Sequence, residues 1–436
     1  MAPVRFLQCA FVTVAAAVAA QPKPPFPSPA DVDAVFARQE ALYLDLHRNP
    51  ELSLHEVQTA AKLAAFVQGL GYDVTTGVGG TGVVAVLRNG TGRTVMLRTD
   101  MDALPVLEKT GLSYASTVTV KGDGGETIPV MHACGHDIHM SSWAGTAALM
   151  AANRGRWHGT LVLVGQPAEE LGAGADAMIR DGLLTRFPRP EVALAIHDDT
   201  EFAAGKVGVH PGFFRAGADS VTITVYGRGG HGARPHLAVD PIVIAARIVV
   251  ALQTIVSRET SPFDPAVVTV GTIRGGTKNN IIPDEVTMTL TVRAFKPEVM
   301  AHLISAIGRI AKGEAAAAGA PREPLVTVDD TLAPEYNDPQ LTARVAGALR
   351  SAMGADRVVE MQAEMGAEDF SAYGLAGVPS LLMHVGAVDP AKLAAAEKAG
   401  VPVPSIHSPL FAPDYGPTIR TATTAECVAL VELLGR

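Results

Sequence analysis

Four clusters of polar side chains carry residue types that bind metal ions or move protons. They are Asp100-Met101-Asp102, the run from His132 to His139 (HACGHDIH), Glu169-Glu170 and His197-Asp198-Asp199. Thiolate, imidazole and carboxylate together form the ligand set of Zn²⁺ and related divalent cations. A buried pair of adjacent glutamates is costly unless a cation neutralises it or one carboxyl keeps its proton. Holding a cation through one glutamate and using the other as a base meets both conditions. Asp102 is placed to orient a ligating histidine from behind. The chemistry this predicts is hydrolysis, in which a glutamate deprotonates a water activated by the metal and that water attacks a polarised carbonyl. Each cluster alone has a plainer reading. A Glu-Glu pair opens many solvated helices, a single histidine often just ends a strand, and Cys-Gly-His is a loose spacing. The argument rests on their concurrence in one chain.

The elements that must position these groups are legible around them. Apolar stretches at Val95–Leu97, Leu161–Val164 and Val192–Ile196 read as strands, and each is followed by one of the clusters. In open α/β sheets ligands bind beyond the carboxyl ends of the strands. Helices are predicted over 31–46, from Val32, Val35, Phe36, Ala41 and Leu44, and over 139–152. Another is expected to end near Leu70, opened by Ser53 with Glu56 as a capping box. Strands alternating with helices predict a mostly parallel α/β sheet. Beyond Pro211 the pattern changes to strand 219–226, helix 240–256, strands 267–273 and 285–294 and helix 298–312, the order of a ferredoxin-like α+β unit. After a small-residue stretch at 315–324 come a helix over 339–353, a strand over 380–384 and a helix over 421–434. The expected organisation is a catalytic domain in two parts, 31–211 and 321–436, interrupted by an inserted unit at 212–320.

The chain has 436 residues, 48% hydrophobic and 18% charged, which excludes disorder as its main state. A net charge of −9 makes nucleic acid a poor partner. Arg5, the apolar stretch Phe6–Ala20 and its small residues read as a signal peptide over 1–20, with a retained N-terminal membrane anchor as the alternative, followed by a Pro-rich linker at 21–30. This predicts a secreted or periplasmic protein whose mature chain has no stable membrane insertion. Of three cysteines, Cys9 leaves with the leader. A Cys134–Cys427 disulfide is not expected, because Cys134 sits where a free thiolate has work to do, and Cys427 reads as core. Gly227 to Gly232 matches GxGxxG, but no helix follows at once, which argues against a dinucleotide site. His384 and His158 read as strand or surface histidines, and spacing alone assigns nothing to His407.

With these residues in view, the chain resembles the metallo-amidohydrolases and peptidases that include auxin-conjugate (IAA-amino acid) hydrolases, hippurate hydrolases and N-acyl-L-amino acid amidohydrolases. The likeness is carried by LHRNPELSLHE, LRTDMDALPV, MHACGHDIHM, GQPAEE, AIHDD, GRGGHGARPH, GGTKNNIIPDEV, MGAEDFSAY and IHSPLF, spread from about His47 to the C-terminal helix. The resemblance implies two divalent metal ions per subunit, Zn or Mn, held by Cys134, His136, Glu170, His197 and His407. It makes Glu169 the general base and the smaller domain a dimerisation domain. It implies a homodimer in which His231 reaches the partner's active site and stabilises the oxyanion. Asn280 and Arg293 match substrate-holding positions, the arginine suiting a carboxylate. Asp100 stands where distant relatives have a metal-binding histidine, and Asp198-Asp199 are more acidic than in many relatives. The implied activity is cleavage of the amide bond of N-acyl amino acids or dipeptide-like substrates. The rival readings are a hydrolase with Cys134 as nucleophile and a non-catalytic secreted binding protein on the same scaffold.

Overall fold

The computed structural model describes residues 26–122 and 124–435; the expected signal peptide and most of the linker lie outside them. A ten-stranded sheet forms the larger unit. Its centre is four parallel strands in the order Gly159–Gln166, Thr94–Asp100, Val192–Ala203 and Ser380–Val388. Antiparallel strands Gly82–Asn89 and Asp73–Val78 extend one side, the latter unforeseen in the sequence. Glu335–Asn337 and Gly212–Arg215 extend the other. The central strands are apolar and buried through Val95–Leu97, Leu161–Val164 and Val192–Ile196, as strands covered on both faces must be.

Register brings the polar runs to one height. Asp100 pairs with Gln166, and His384 with His197. Arg98 pairs with Ala195, so Asp100 also stands level with His197. The helix His136–Ala152 is buried on every side through Met150, packed between the helices Pro29–Arg48 and Tyr415–Leu434. It begins at His136, one turn earlier than the periodicity predicts, because Gly135 ahead of it adopts a left-handed φ of 72°.

The capping box at Ser53 and Glu56 does not form. The helix Val57–Gln68 has no side-chain cap. Ser53 Oγ instead donates to Asp102 Oδ2 at 2.6 Å. Glu56, fully buried, accepts from the backbone of Leu54 and Ala168 and from Thr81 Oγ1. Tertiary donors thus outcompete the local cap for both side chains.

The smaller unit is a four-stranded antiparallel sheet in the order Ala266–Arg274, Glu285–Ala294, Gly217–Tyr226, Leu325–Leu332. Helices Pro241–Thr254 and Pro297–Ala317 cover one face, where Ile223, Ile248, Met288, Val292 and Ile307 are buried. The fourth strand lies past residue 320, and Gly212–Arg215 pairs in the larger sheet, so the inserted unit spans about 217–332 and closes as β-α-β-β-α-β. Among the described residues one helical stretch, Pro241–Glu259, is long and apolar enough to cross a membrane; its buried face belongs to this smaller core.

Candidate metal centre

Cys134, His136, Glu170, His197 and His407 converge at the carboxyl ends of the central strands. Cys134 Sγ lies 3.5 Å from His197 Nε2 and 3.2 Å from His407 Nε2. His407 Nε2 lies 3.5 Å from Glu170 Oε2, and His136 Nε2 lies 3.8 Å from Glu170 Oε1 and from Glu169 Oε2. Ligand atoms within 4.8 Å of one another form overlapping groups: Cys134 with His136 and His197, Cys134 with Glu170 and His407, and His136 with Glu169 and Glu170.

Backbone geometry aims these side chains. His136 Nδ1 donates to the Asp102 carbonyl at 2.8 Å, and His197 Nδ1 donates to the Asp198 carbonyl at 2.6 Å. Each bond fixes the tautomer and turns Nε2 toward the cluster. Asp102 Oδ2 accepts from Ser53 Oγ and from the Glu170 amide, which ties the strand end to the Glu-Glu loop. His407 sits at a positive φ of 65°, a conformation rare outside glycine, and its N–H donates to Ala133. Gly135 has no alternative residue here, since a Cβ would lie 2.2 Å from Asp198 Oδ1.

The electrostatics call for a cation. His136 Nε2 and Glu170 Oε1 are buried without hydrogen-bond partners, a costly state unless a ligand fills it. Burial, reinforced by Glu368 and Glu170, pushes Glu169 well above the usual carboxylate range, and burial raises Glu170 to about 7. The same donors suit a divalent ion that compensates these charges. Burial and Glu170 also push the Cys134 thiol up. A nucleophilic cysteine needs an electropositive setting, so this environment opposes the Cys134-nucleophile reading. Cys134 and Cys427 are both free thiols, and Cys427 is buried beside Thr146.

Other expected site residues lie apart from this cluster. His231 is exposed on the two-stranded ribbon of Gly230–His231 with Ile281–Ile282. Its Nδ1 accepts from the Ala233 amide at 3.0 Å, leaving Nε2 as the donor. Asn280, also exposed, accepts from the Gly232 amide, so it shares His231's ribbon. Arg293 is half-buried on the strand Glu285–Ala294, with Nε donating to Thr291 Oγ1. The Gly227–Gly232 run bends into this ribbon and no helix follows at once.

Sequence reasoning missed a second layer. Asp100 is held by Arg98 Nη1 at 2.7 Å, and its Oδ1 lies 2.7 Å from His139 Nδ1. His139 Nε2 lies 3.0 Å from Asp198 Oδ1. Burial opposes charge on His139, but Asp100 and Asp198 outweigh it and raise its pKa to about 9. Arg98 also donates to Gln166, Glu368 and Asp369. His384, a buried strand histidine as expected, engages Asp199 at 2.8 Å and Arg215 at 3.3 Å. The sequence signals for this layer were His139, Asp198-Asp199 and the unexplained Asp100, none of which carried an assigned role there.

Comparison with known proteins follows the same lines. Residues 96–407 match the model of peptidase family M20/M25/M40. A thermostable carboxypeptidase of Saccharolobus solfataricus is 36% identical over 373 residues, 85% of this chain and 88% of that protein. An IAA-amino acid hydrolase of Arabidopsis thaliana is 35% identical over 368 residues, 84% of this chain and 79% of that protein. The crystal structure of a Bacillus subtilis dinuclear metal-binding peptidase of the M20 family superposes with a TM-score of 0.74 at 28% identity, covering 92% of this chain and 99% of that one. The polar clusters, the sheet that levels them and these matches agree: this chain belongs to peptidase family M20/M25/M40.

Proposed function

We propose that the protein is a metal-dependent amidohydrolase cleaving the amide bond of N-acyl amino acids or small peptide-like substrates. The observation that carries this is the convergence of Cys134, His136, Glu170, His197 and His407 around unpartnered ligand atoms, with Glu169 at their edge. Two of the ligand groups share Cys134, the third joins them through His136 and Glu170, and together they suit two divalent ions. Thiolate and imidazole favour Zn²⁺, while the carboxylates also suit Mn²⁺. Bound there, the ions would supply Lewis-acid charge at the substrate carbonyl and at the attacking water. Glu169, whose carboxyl burial and its acidic neighbours push up, would accept a proton from the attacking water and deliver it to the leaving amine. Asp102 and Asp198 keep His136 and His197 in the ligating tautomer.

The homodimer belongs to the same proposal. The partner subunit's His231 would bring its Nε2–H to the oxyanion, and Asn280 with Arg293 would hold the substrate's α-carboxylate. Secretion or periplasmic export through residues 1–20 completes it.

The test is release of free amino acid from a panel of N-acyl amino acids, before and after chelation. Release should vanish on chelation and return with Zn²⁺ or Mn²⁺. Release that ignores chelation and stops on thiol alkylation would replace this reading with the Cys134 nucleophile. Tight binding without release, with metal present, would replace it with a binding protein.

A further inference from the structure

Two arginines are buried behind the metal-ligand cluster, and they differ in how their N–H groups are used. Arg98 directs four of its five N–H groups to Asp100, Gln166, Glu368 and Asp369. Arg215 is also buried, 6% exposed, at the end of the edge strand Gly212–Arg215. Its side chain has one hydrogen bond among the described residues, from Nη2 to His384 Nε2 at 3.3 Å. Its Nε is buried with no acceptor.

The carboxylates around Arg215 leave this capacity open. Glu335 stands directly opposite on the neighbouring strand and is fully buried, yet both of its oxygens are unpartnered. Burial and Glu368 raise Glu335 to about 8, so near neutrality it carries little charge to offer. Asp199 is engaged by His384 Nδ1 at 2.8 Å. Glu364, whose side chain is 38% exposed, forms an ion pair with Nη2 at 3.2 Å, so the capacity left over is that of Nε and Nη1. An arginine has no acceptor atom, so in this contact Nη2 donates to His384 Nε2, while His384 Nδ1 faces Asp199.

Position gives the unused donor its meaning. His384 pairs in register with the metal-ligand candidate His197, and their rings are 5.6 Å apart between centroids. Arg215 is therefore one imidazole away from the cluster, and its charge is felt at His197, His407, Cys134 and Glu169. A guanidinium with free N–H groups at such a place fits a planar carboxylate.

We propose that Arg215 is a specificity-determining residue that holds a second carboxylate of the substrate, on the acyl arm or on the amino-acid side chain. This rests on the amidohydrolase reading and narrows its substrates to dicarboxylic N-acyl amino acids. Arg293, on the smaller unit, remains the partner of the α-carboxylate.

The test uses matched substrates and the metal-loaded full chain. The pairs are N-succinyl-L-alanine against its terminal amide, N-acetyl-L-glutamate against N-acetyl-L-glutamine, and N-acetyl-L-alanine against N-acetyl-L-alaninamide. In one of the first two pairs the acid should be preferred by about 10- to 100-fold in kcat/KM, the range for a hydrogen bond to a charged group. Arg215→Met should collapse that ratio mainly through KM, and Arg215→Lys should keep part of it. Metal content and melting temperature check that each variant is folded. If Arg215→Met does not fold, the Arg215→Lys ratio decides, since a lysine that leaves the preference whole shows no need for the fork of N–H groups. No acid preference in the first two pairs of wild type overturns the proposal. So does a preference that survives in Arg215→Met, or a loss confined to the third pair. If no pair is cleaved at all, the amidohydrolase reading fails on its own. Calorimetric binding of the same pairs to Glu169→Gln protein then decides the question for Arg215.

Discussion

His136 and His197 each spend Nδ1 on a backbone carbonyl, and this single bond decides what each can do. At His197, which burial holds well below the usual imidazole range, Nε2 is left unprotonated and ready for a cation, whereas at His136 Asp100 and Asp102 outweigh burial and hold the ring well above that range, so a cation binding there displaces a proton. Glu169 has no such fixed duty. Its carboxyl lies 3.8 Å from His136 and is nearly buried, and its neighbours Glu368 and Glu170 disfavour its charge. Glu169→Gln keeps the shape and removes the base. It should bind metal as wild type does while turnover falls about 10²–10⁴-fold, the usual contribution of a general base. Metal analysis beside single-turnover rates checks this, and a near-normal rate removes Glu169 from the role. At this scale the sequence was legible where residue type is itself chemistry: a cysteine, histidines and paired glutamates declare their use. Arg98, Arg215 and Glu368 did not, because a charged residue near a strand end looks like surface until packing buries it.

At the scale of elements, the helix Pro29–Arg48 is tied to the start of the central helix through His47. Its Nδ1 lies 2.6 Å from Asp137 Oδ2, and its Nε2 lies 3.3 Å from Glu108 Oε1, beneath Tyr43 and Tyr114. Burial opposes charge on His47, but Asp137 and Glu108 win and raise its pKa to about 9, while both carboxyls are held below their usual range. A raised histidine pKa contributes stability fully present below about 6.5 and lost as pH rises through about 9. The full effect is about 3 kcal/mol. The two carboxylates contribute stability present above their unfolded values and lost as pH falls. Wild-type melting temperature should therefore fall between pH 7 and 10, and His47→Gln should flatten that slope. An unchanged slope in the variant would show that His47 is not charged in the fold. The failed Ser53 cap and the strand Leu325–Leu332 mark the limit of local reading. Ser53 prefers Asp102, a partner 49 positions away. Leu325–Leu332 is largely exposed and lacks alternating burial, so only its pairing with Gly217–Tyr226 reveals it.

The whole molecule separates two sets of residues. The metal-ligand candidates belong to the larger unit, whereas His231, Asn280 and Arg293 stand on the inserted unit. If the partner subunit's His231 completes each site, the defect in His231→Ala and the defect in Glu169→Gln fall on different chains of a mixed dimer. Mixing the two inactive proteins under exchange conditions should then restore amide hydrolysis that neither shows alone. Mixtures that stay silent although mass measurements show heterodimers would place His231 outside the reaction. The sequence by itself determined the ligand types, the strands that precede them and the break into a second unit, because composition and periodicity are local properties. Tertiary structure alone decided which nitrogen of each histidine faces the cluster, how Asp100 is occupied and where the inserted unit ends. It also decided that Arg215 keeps unused donors beside a metal-ligand candidate. Those outcomes depend on register and on which distant partner reaches a buried polar atom first, and neither is written in the neighbourhood of any single residue.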